Sequence, residues 1–181
     1  MLKWLVRRKL ASFEQQFGYD ASYMRHVLDI DFGAFMQFAK VQGMSKYKKA
    51  VPIDVYYAAA ITGAMVADCG PCTQLVVTMA LRDGVPAATL AKLVRGDEEA
   101  MTEPTRLGAR FARAVLARDS AADEMRETII KRYGQRAVVS LGFALVGSQI
   151  YPTFKYALGF GHACQRVTVA DQTIVPKLVA V

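Results

Sequence analysis

Cysteine, histidine and tryptophan are all scarce here: three, two and one among 181 residues. Three cysteines are too few for a disulfide-stapled scaffold, and the odd count suits a reducing compartment, so a cytoplasmic protein is expected. The opening MLKWLVRRKL is no secretory signal, because its longest apolar run is three residues and basic residues interrupt it. Basic segments interleaved with aromatics are also missing. The net charge of +7 therefore reads as a solvated basic surface, with no nucleic-acid partner. The longest uncharged run, 137–154, approaches membrane-spanning length. It holds Ser140, Ser148, Gln149 and Pro152, however, and has no flanking pattern for insertion. A buried or subunit-facing helix is expected there, with no membrane partner. Repeats, linkers and low-complexity stretches are absent, so 1–181 reads as one domain.

Hydrophobic residues make up 53% of the chain and charged residues 22%, which is globular, on the oily side. Helical spacing and punctuation recur along it. Leu2, Leu5, Val6, Leu10, Phe13 and Phe17 recur at helical intervals, and Gly18 closes that segment. Asp20 or Ser22 can cap a second helix carrying His26, which reads as a surface residue. Phe32, Phe35, Met36 and Ala39 form a core stripe on a third, ending at Gly43. Residues 44–50 read as a basic loop, and Pro52 with Asp54 opens an uncharged helix. Pro86 starts a short helix ending at Arg95-Gly96. Leu107, Phe111, Ala114, Val115 and Arg118 share helical spacing, and Ser120 with Asp123 has the spacing of a capping box. Pro152 should kink or restart the long apolar helix. Only 166–181 has β-like composition and reads as an extended arm. The expected architecture is an all-α single-domain bundle of about eight helices: N-terminal helices in 1–50, a core in 51–160 and a tail in 161–181.

The segment most suggestive of chemistry is Asp68-Cys69-Gly70-Pro71-Cys72. Such a pair can cycle between dithiol and disulfide, hold half of a zinc site, or be buried filler. Pro71 fits a first helical turn, which puts both cysteines at a helix N-terminus. Free N–H groups and the positive dipole end favour thiolate there. On those grounds Cys69 is the expected nucleophile, nearer the N–H groups and nearer solvent, while Asp68 would oppose its ionisation if turned toward it. His162 and Cys164 could complete a zinc set, but an ordinary helix exit explains them better, and no metal or cofactor is expected. CGPC is also the thioredoxin tetrapeptide, although a helix rather than a strand precedes it here.

The uncharged helix, the CxxC and the following LRDGVPAATLAKLVRGDEEAMTEPTRLGARFARAVLARD resemble the carboxymuconolactone decarboxylase/alkylhydroperoxidase D-like superfamily, from about Pro52 to Leu158. Residues 1–50 and GHACQRV resemble a peroxidase-related branch. The resemblance implies trimers or hexamers. It also implies that Cys69 and Cys72 reduce a small hydroperoxide or a disulfide and are re-reduced by a thiol reductant or disulfide partner protein. The family's relay glutamate lies twelve residues before the first cysteine, where this chain has Tyr57. Its histidine lies four after the second, where this chain has Val76. Through that histidine the resemblance points to Cys72 as the attacking thiol. With Val76 in its place the family mechanism does not carry over intact. Cys69 stays the expected nucleophile with Cys72 resolving, and Tyr57 and Asp54 are substitutes proposed by position. Loss of the relay also leaves an alternative, a non-catalytic oligomeric protein that keeps the helical scaffold.

Overall fold

The computed structural model describes residues 2–162 and 166–178. Among them the chain forms an all-α bundle of one domain with a single small hairpin. The helices are α1 (Leu2–Phe17), α2 (Ser22–Ile30), α3 (Phe32–Lys40), α4 (Gln42–Ser45), α5 (Ile53–Val66), α6 (Gly70–Arg82), α7 (Ala87–Arg95), α8 (Glu103–Ala117), α9 (Ala121–Tyr133) and α10 (Gln135–Ala157). The hairpin pairs β1 (Val167–Val169) antiparallel to β2 (Gln172–Ile174). The count exceeds the expected eight partly because the third segment splits at Val41 into α3 and the four-residue α4.

The organising element is α5. Every residue from Val55 to Met65 is buried, and α5 packs against α6, α8 and α10 on different sides. A helix apolar all round can be stable only where neighbours cover every face. Two glycines let those neighbours come close. A Cβ on Gly108 of α8 would lie 2.6 Å from the Val55 carbonyl oxygen, and one on Gly63 of α5 would lie 2.1 Å from Ser148 Oγ of α10. Gln149 strengthens the second contact by donating Nε2 to the Gly63 carbonyl at 2.8 Å.

Three apolar clusters follow. One joins α5, α6, α7 and the hairpin, and a second joins α5, α8, α9 and α10. The third is formed by α1, α2 and α3 and closes over Leu75 of α6 and Phe154 of α10. In that third cluster Phe35 and Phe38 point inward, Phe38 stacking on Phe154 at 4.4 Å, while Met36 faces outward instead of joining the stripe. Leu2 and Leu5 are likewise exposed, so the buried stripe of α1 begins further along, toward Leu10.

Four local expectations need correction. Neither Asp20 nor Ser22 caps α2; the position falls to Ala21, and the Asp20 carboxylate instead accepts from the Ser22 N–H and hydroxyl. Ser120 adopts helical angles and makes no capping bond; Asp119 accepts the Ala121 N–H instead, at 2.8 Å. Of the two effects expected of Pro152 a restart does not occur, since α10 runs on through it to Ala157. The tail is a hairpin rather than an extended arm, because alternate residues Val167, Val169 and Ile174 are buried in the α5–α7 cluster. Gln74 of α6 pins it like a strand neighbour, accepting from Thr168 N–H at 2.7 Å and donating to its carbonyl at 2.9 Å. Among the described residues only α10 is long and apolar enough to cross a membrane by length and composition. In the bundle it buries Ala137, Leu141, Ala144 and Leu145 against neighbouring helices.

Candidate functional site

The chain turns from α5 into α6 through Asp68, which has φ +47. Left-handed backbone is tolerated better by aspartate than by most side chains. The turn leaves Asp68 exposed and makes Cys69 the N-cap of α6, with Gly70, Pro71 and Cys72 as its first residues. Cys69 Sγ takes the place a serine oxygen usually fills, accepting the Cys72 N–H at 3.3 Å. The two sulfurs are at disulfide-bonding distance and the Cα atoms are 5.2 Å apart, within the usual range for a bridge.

Both cysteines lie at the N-terminus of α6 as the sequence suggests, but the expected exposure is reversed. Cys69 is 0% exposed, whereas Cys72 is 6% exposed and lines a cavity. The cavity has a volume of about 550 Å³ and lies between the α1–α3 cluster and helices α5, α6 and α10. Tyr57 and Val76, the two positions where the family relay would stand, line this same cavity.

Tyr57 is not isolated there. Its hydroxyl donates to Asp83 Oδ2 at 2.6 Å and accepts from Lys48 Nζ at 2.6 Å. Lys48 also donates to the same Asp83 oxygen at 2.6 Å, and its ammonium lies 4.5 Å from the Tyr57 ring centroid. The result is a closed triangle of cation, phenol and carboxylate. The Lys48 hydrogen bond, then that of Tyr57, holds the Asp83 carboxyl below the usual carboxylate range. Burial, then the Asp83 bond, pushes the Tyr57 hydroxyl well above its ordinary value. Beside it, burial raises Tyr56 to about 12, and its hydroxyl donates to the Ser45 carbonyl at 2.9 Å. Tyr57 is therefore a protonated phenol at neutral pH, hydrogen-bonded to the Lys48 ammonium.

The structure brings Cys72 and Tyr57 to one cavity and leaves Asp54 out of it. Asp54 sits on the first turn of α5 facing α8, where Thr105 Oγ1 approaches its carboxylate at 3.5 Å. His162 does reach the cysteine turn, but through its backbone. Its carbonyl accepts the Gly70 N–H at 3.2 Å, while its side chain is exposed. Cys164 lies outside the described residues. Among the described residues no three His, Cys, Asp or Glu groups gather as a metal site.

Lys48 and Asp83 were not singled out from sequence. One lies in a basic loop and the other follows the α6 helix, 35 residues later, and only the fold makes them partners. The available signal was Asp83 at the α6 C-terminus, where a carboxylate is unfavourable to the helix dipole and calls for a compensating cation.

No family model, no curated protein and no solved structure matches this chain.

Proposed function

We propose that this protein is a dithiol–disulfide oxidoreductase that reduces hydroperoxides, in the manner of the alkylhydroperoxidase D-like proteins its sequence resembles. The observation that carries the reading is the opening of Cys72 into a cavity also lined by a hydrogen-bonded Tyr57–Lys48–Asp83 triangle. Cys72 is the attacking thiol and Cys69, enclosed beside it, resolves.

The helix N-terminus favours the Cys72 thiolate. That sulfur attacks one peroxide oxygen, the O–O bond breaks, and the departing alkoxide takes a proton to become an alcohol. Tyr57 and Lys48 are the acids of the cavity, and the alkoxide is basic enough to accept from either. Cys72 is left as a sulfenic acid. The Cys69 thiol loses its proton, forms the S–S bond and expels the sulfenic oxygen as water. The peroxide gains two electrons and the dithiol loses two. A thiol reductant returns the disulfide to dithiol. Enclosure of both sulfurs favours a small-molecule hydroperoxide, one that fits the cavity, over a protein disulfide as the oxidant.

Titration of the reduced protein with tert-butyl hydroperoxide should consume two thiols per peroxide, reversibly with dithiothreitol. Cys69→Ser should stop at a dimedone-trappable sulfenic acid on Cys72, and Cys72→Ser should be inert. Thiol loss no faster than that of free dithiothreitol would return the chain to the alternative, a non-catalytic oligomeric scaffold.

A further inference from the structure

The walls of the cavity differ from its mouth. Phe13 and Phe17 of α1, Leu75, Val76 and Met79 of α6 and Pro152 of α10 give it an apolar interior. Three cations line it as well, Lys46, Lys48 and Arg82, against the single carboxylate of Asp83. Asp83 is already paired with Lys48. Arg82 is exposed, donates to the Gln16 backbone carbonyl and has its guanidinium 4.5 Å from the Phe17 ring centroid. Both partners are neutral, so its charge is not cancelled. Lys46 is exposed too, and among the described residues neither it nor Arg82 forms an ion pair. The volume of about 550 Å³ is that of a site for a small organic molecule, whose usual range is about 300–1,000 Å³.

We infer that the cavity binds an aliphatic carboxylate, with the chain inside and the head group at the Lys46–Arg82 rim, and that the oxidant reduced at Cys72 is a hydroperoxide of this class. The assignment rests on the dithiol reading for the reactive sulfur and adds the substrate. Cys72 is buried, at 6% exposure, whereas Lys46 and Arg82 are exposed, so the sulfur lies deeper in the cavity than the cations. The peroxide group is therefore carried along the chain rather than on the carboxyl itself. The redox step is the one given above, with the hydroperoxy carboxylate reduced to a hydroxy carboxylate and water. Apolar walls supply affinity in proportion to area removed from water, and the rim supplies selection by charge.

Binding is tested apart from redox chemistry on the full chain carrying Cys69→Ser and Cys72→Ser. Calorimetric titration with octanoate, decanoate and dodecanoate should show affinity rising about fourfold per methylene, the equivalent of about 0.8 kcal/mol per buried CH₂. Decanol should bind at least about tenfold more weakly than decanoate, and decylamine more weakly still. Lys46→Glu, a change at an exposed position, should weaken decanoate several-fold while leaving decanol unaltered. Equal affinity for decanoate and decanol, or no binding of either, would overturn the assignment. On the unsubstituted protein, a hydroperoxy fatty acid should oxidise the thiols at least about tenfold faster than tert-butyl hydroperoxide. If decanoate binds but the thiols resist every peroxide, the dithiol reading fails and the carboxylate site stands. If the thiols react equally with both peroxides, the reading stands and the substrate class fails.

Discussion

At the scale of single residues, the candidate site holds a phenol kept protonated by burial and by its Asp83 bond. Tyr57 occupies a position where the resembled family uses a carboxylate, and Asp83 supplies a carboxylate from the end of the next helix. Tyr57→Phe removes an acid but keeps the ring, so peroxide reduction should slow by about 10²-fold if the phenol donates the proton. Equal rates for the two proteins at pH 7 would remove Tyr57 from the mechanism. Asp83 gives a separate pH test. Its folded pKa is depressed, chiefly by the Lys48 bond. Its contribution to stability is then present above the unfolded value and lost as pH falls through the folded one. Wild type should lose urea resistance on going from pH 6 to pH 3 more steeply than Asp83→Asn does. Parallel acid limbs for the two proteins would show that the triangle adds nothing to folding.

At the scale of elements, α5 is held by close approach rather than by an amphipathic face. Gly108→Ala places a methyl 2.6 Å from the Val55 carbonyl oxygen, and a backbone atom cannot swing aside as a side chain can. The helices must separate, at a cost of about 1–3 kcal/mol for such overpacking. Denaturant unfolding should show that loss, and an unchanged midpoint would mean that α8 shifts freely. The helices themselves were legible because glycine and proline mark many of their ends: Gly18, Gly84, Gly96 and Gly134 all have positive φ at or just beyond a helix terminus. Ser120 misled because its spacing to Asp123 fits a capping box, while Asp119, one residue earlier, reached the free N–H first. The hairpin was only half legible. Its composition was β-like, but its fixing depends on Gln74, 94 residues from Thr168. The same holds for the site. Cys69 and Cys72 announce themselves by spacing and Tyr57 by its distance from the first cysteine, whereas Lys48 and Asp83 have meaning only once α5 and α6 are packed. Burial reversed the expected order of exposure of the two thiols, because spacing along a helix does not say which side is covered.

At the scale of the whole molecule, the outer face of α10 carries an apolar row. Val139 and Val146 are 48% and 42% exposed, with the half-buried Phe143 and Ile150 beside them at helical spacing. Covering such a row against a second copy removes it from water. A homo-oligomer is the expected state, and the family resemblance suggests trimers or hexamers. Val146→Lys should move the light-scattering mass toward 19.9 kDa without loss of helical circular dichroism. A wild-type protein already at that mass at micromolar concentration would overturn the expectation.

The bond between Cys69 and Cys72 closes a loop of only a few residues, and this has a consequence for what the protein tolerates. A cross-link steadies a fold mainly by shrinking the number of shapes the unfolded chain can explore, and a loop of about four residues removes few of them. The same relation gives about 2 kcal/mol here against about 4.7 kcal/mol for a loop of about 100 residues. At about 2–4 °C per kcal/mol for a chain of this size, the melting temperature should fall by about 4–8 °C on reduction. Calorimetry with and without dithiothreitol measures it, and a drop of several tens of degrees would show that the bond is structural. With the smaller shift, the folded population stays nearly the same whichever way the electrons stand. Under the proposed dithiol cycle, the bond can then open and close repeatedly without the molecule being lost to degradation between turns.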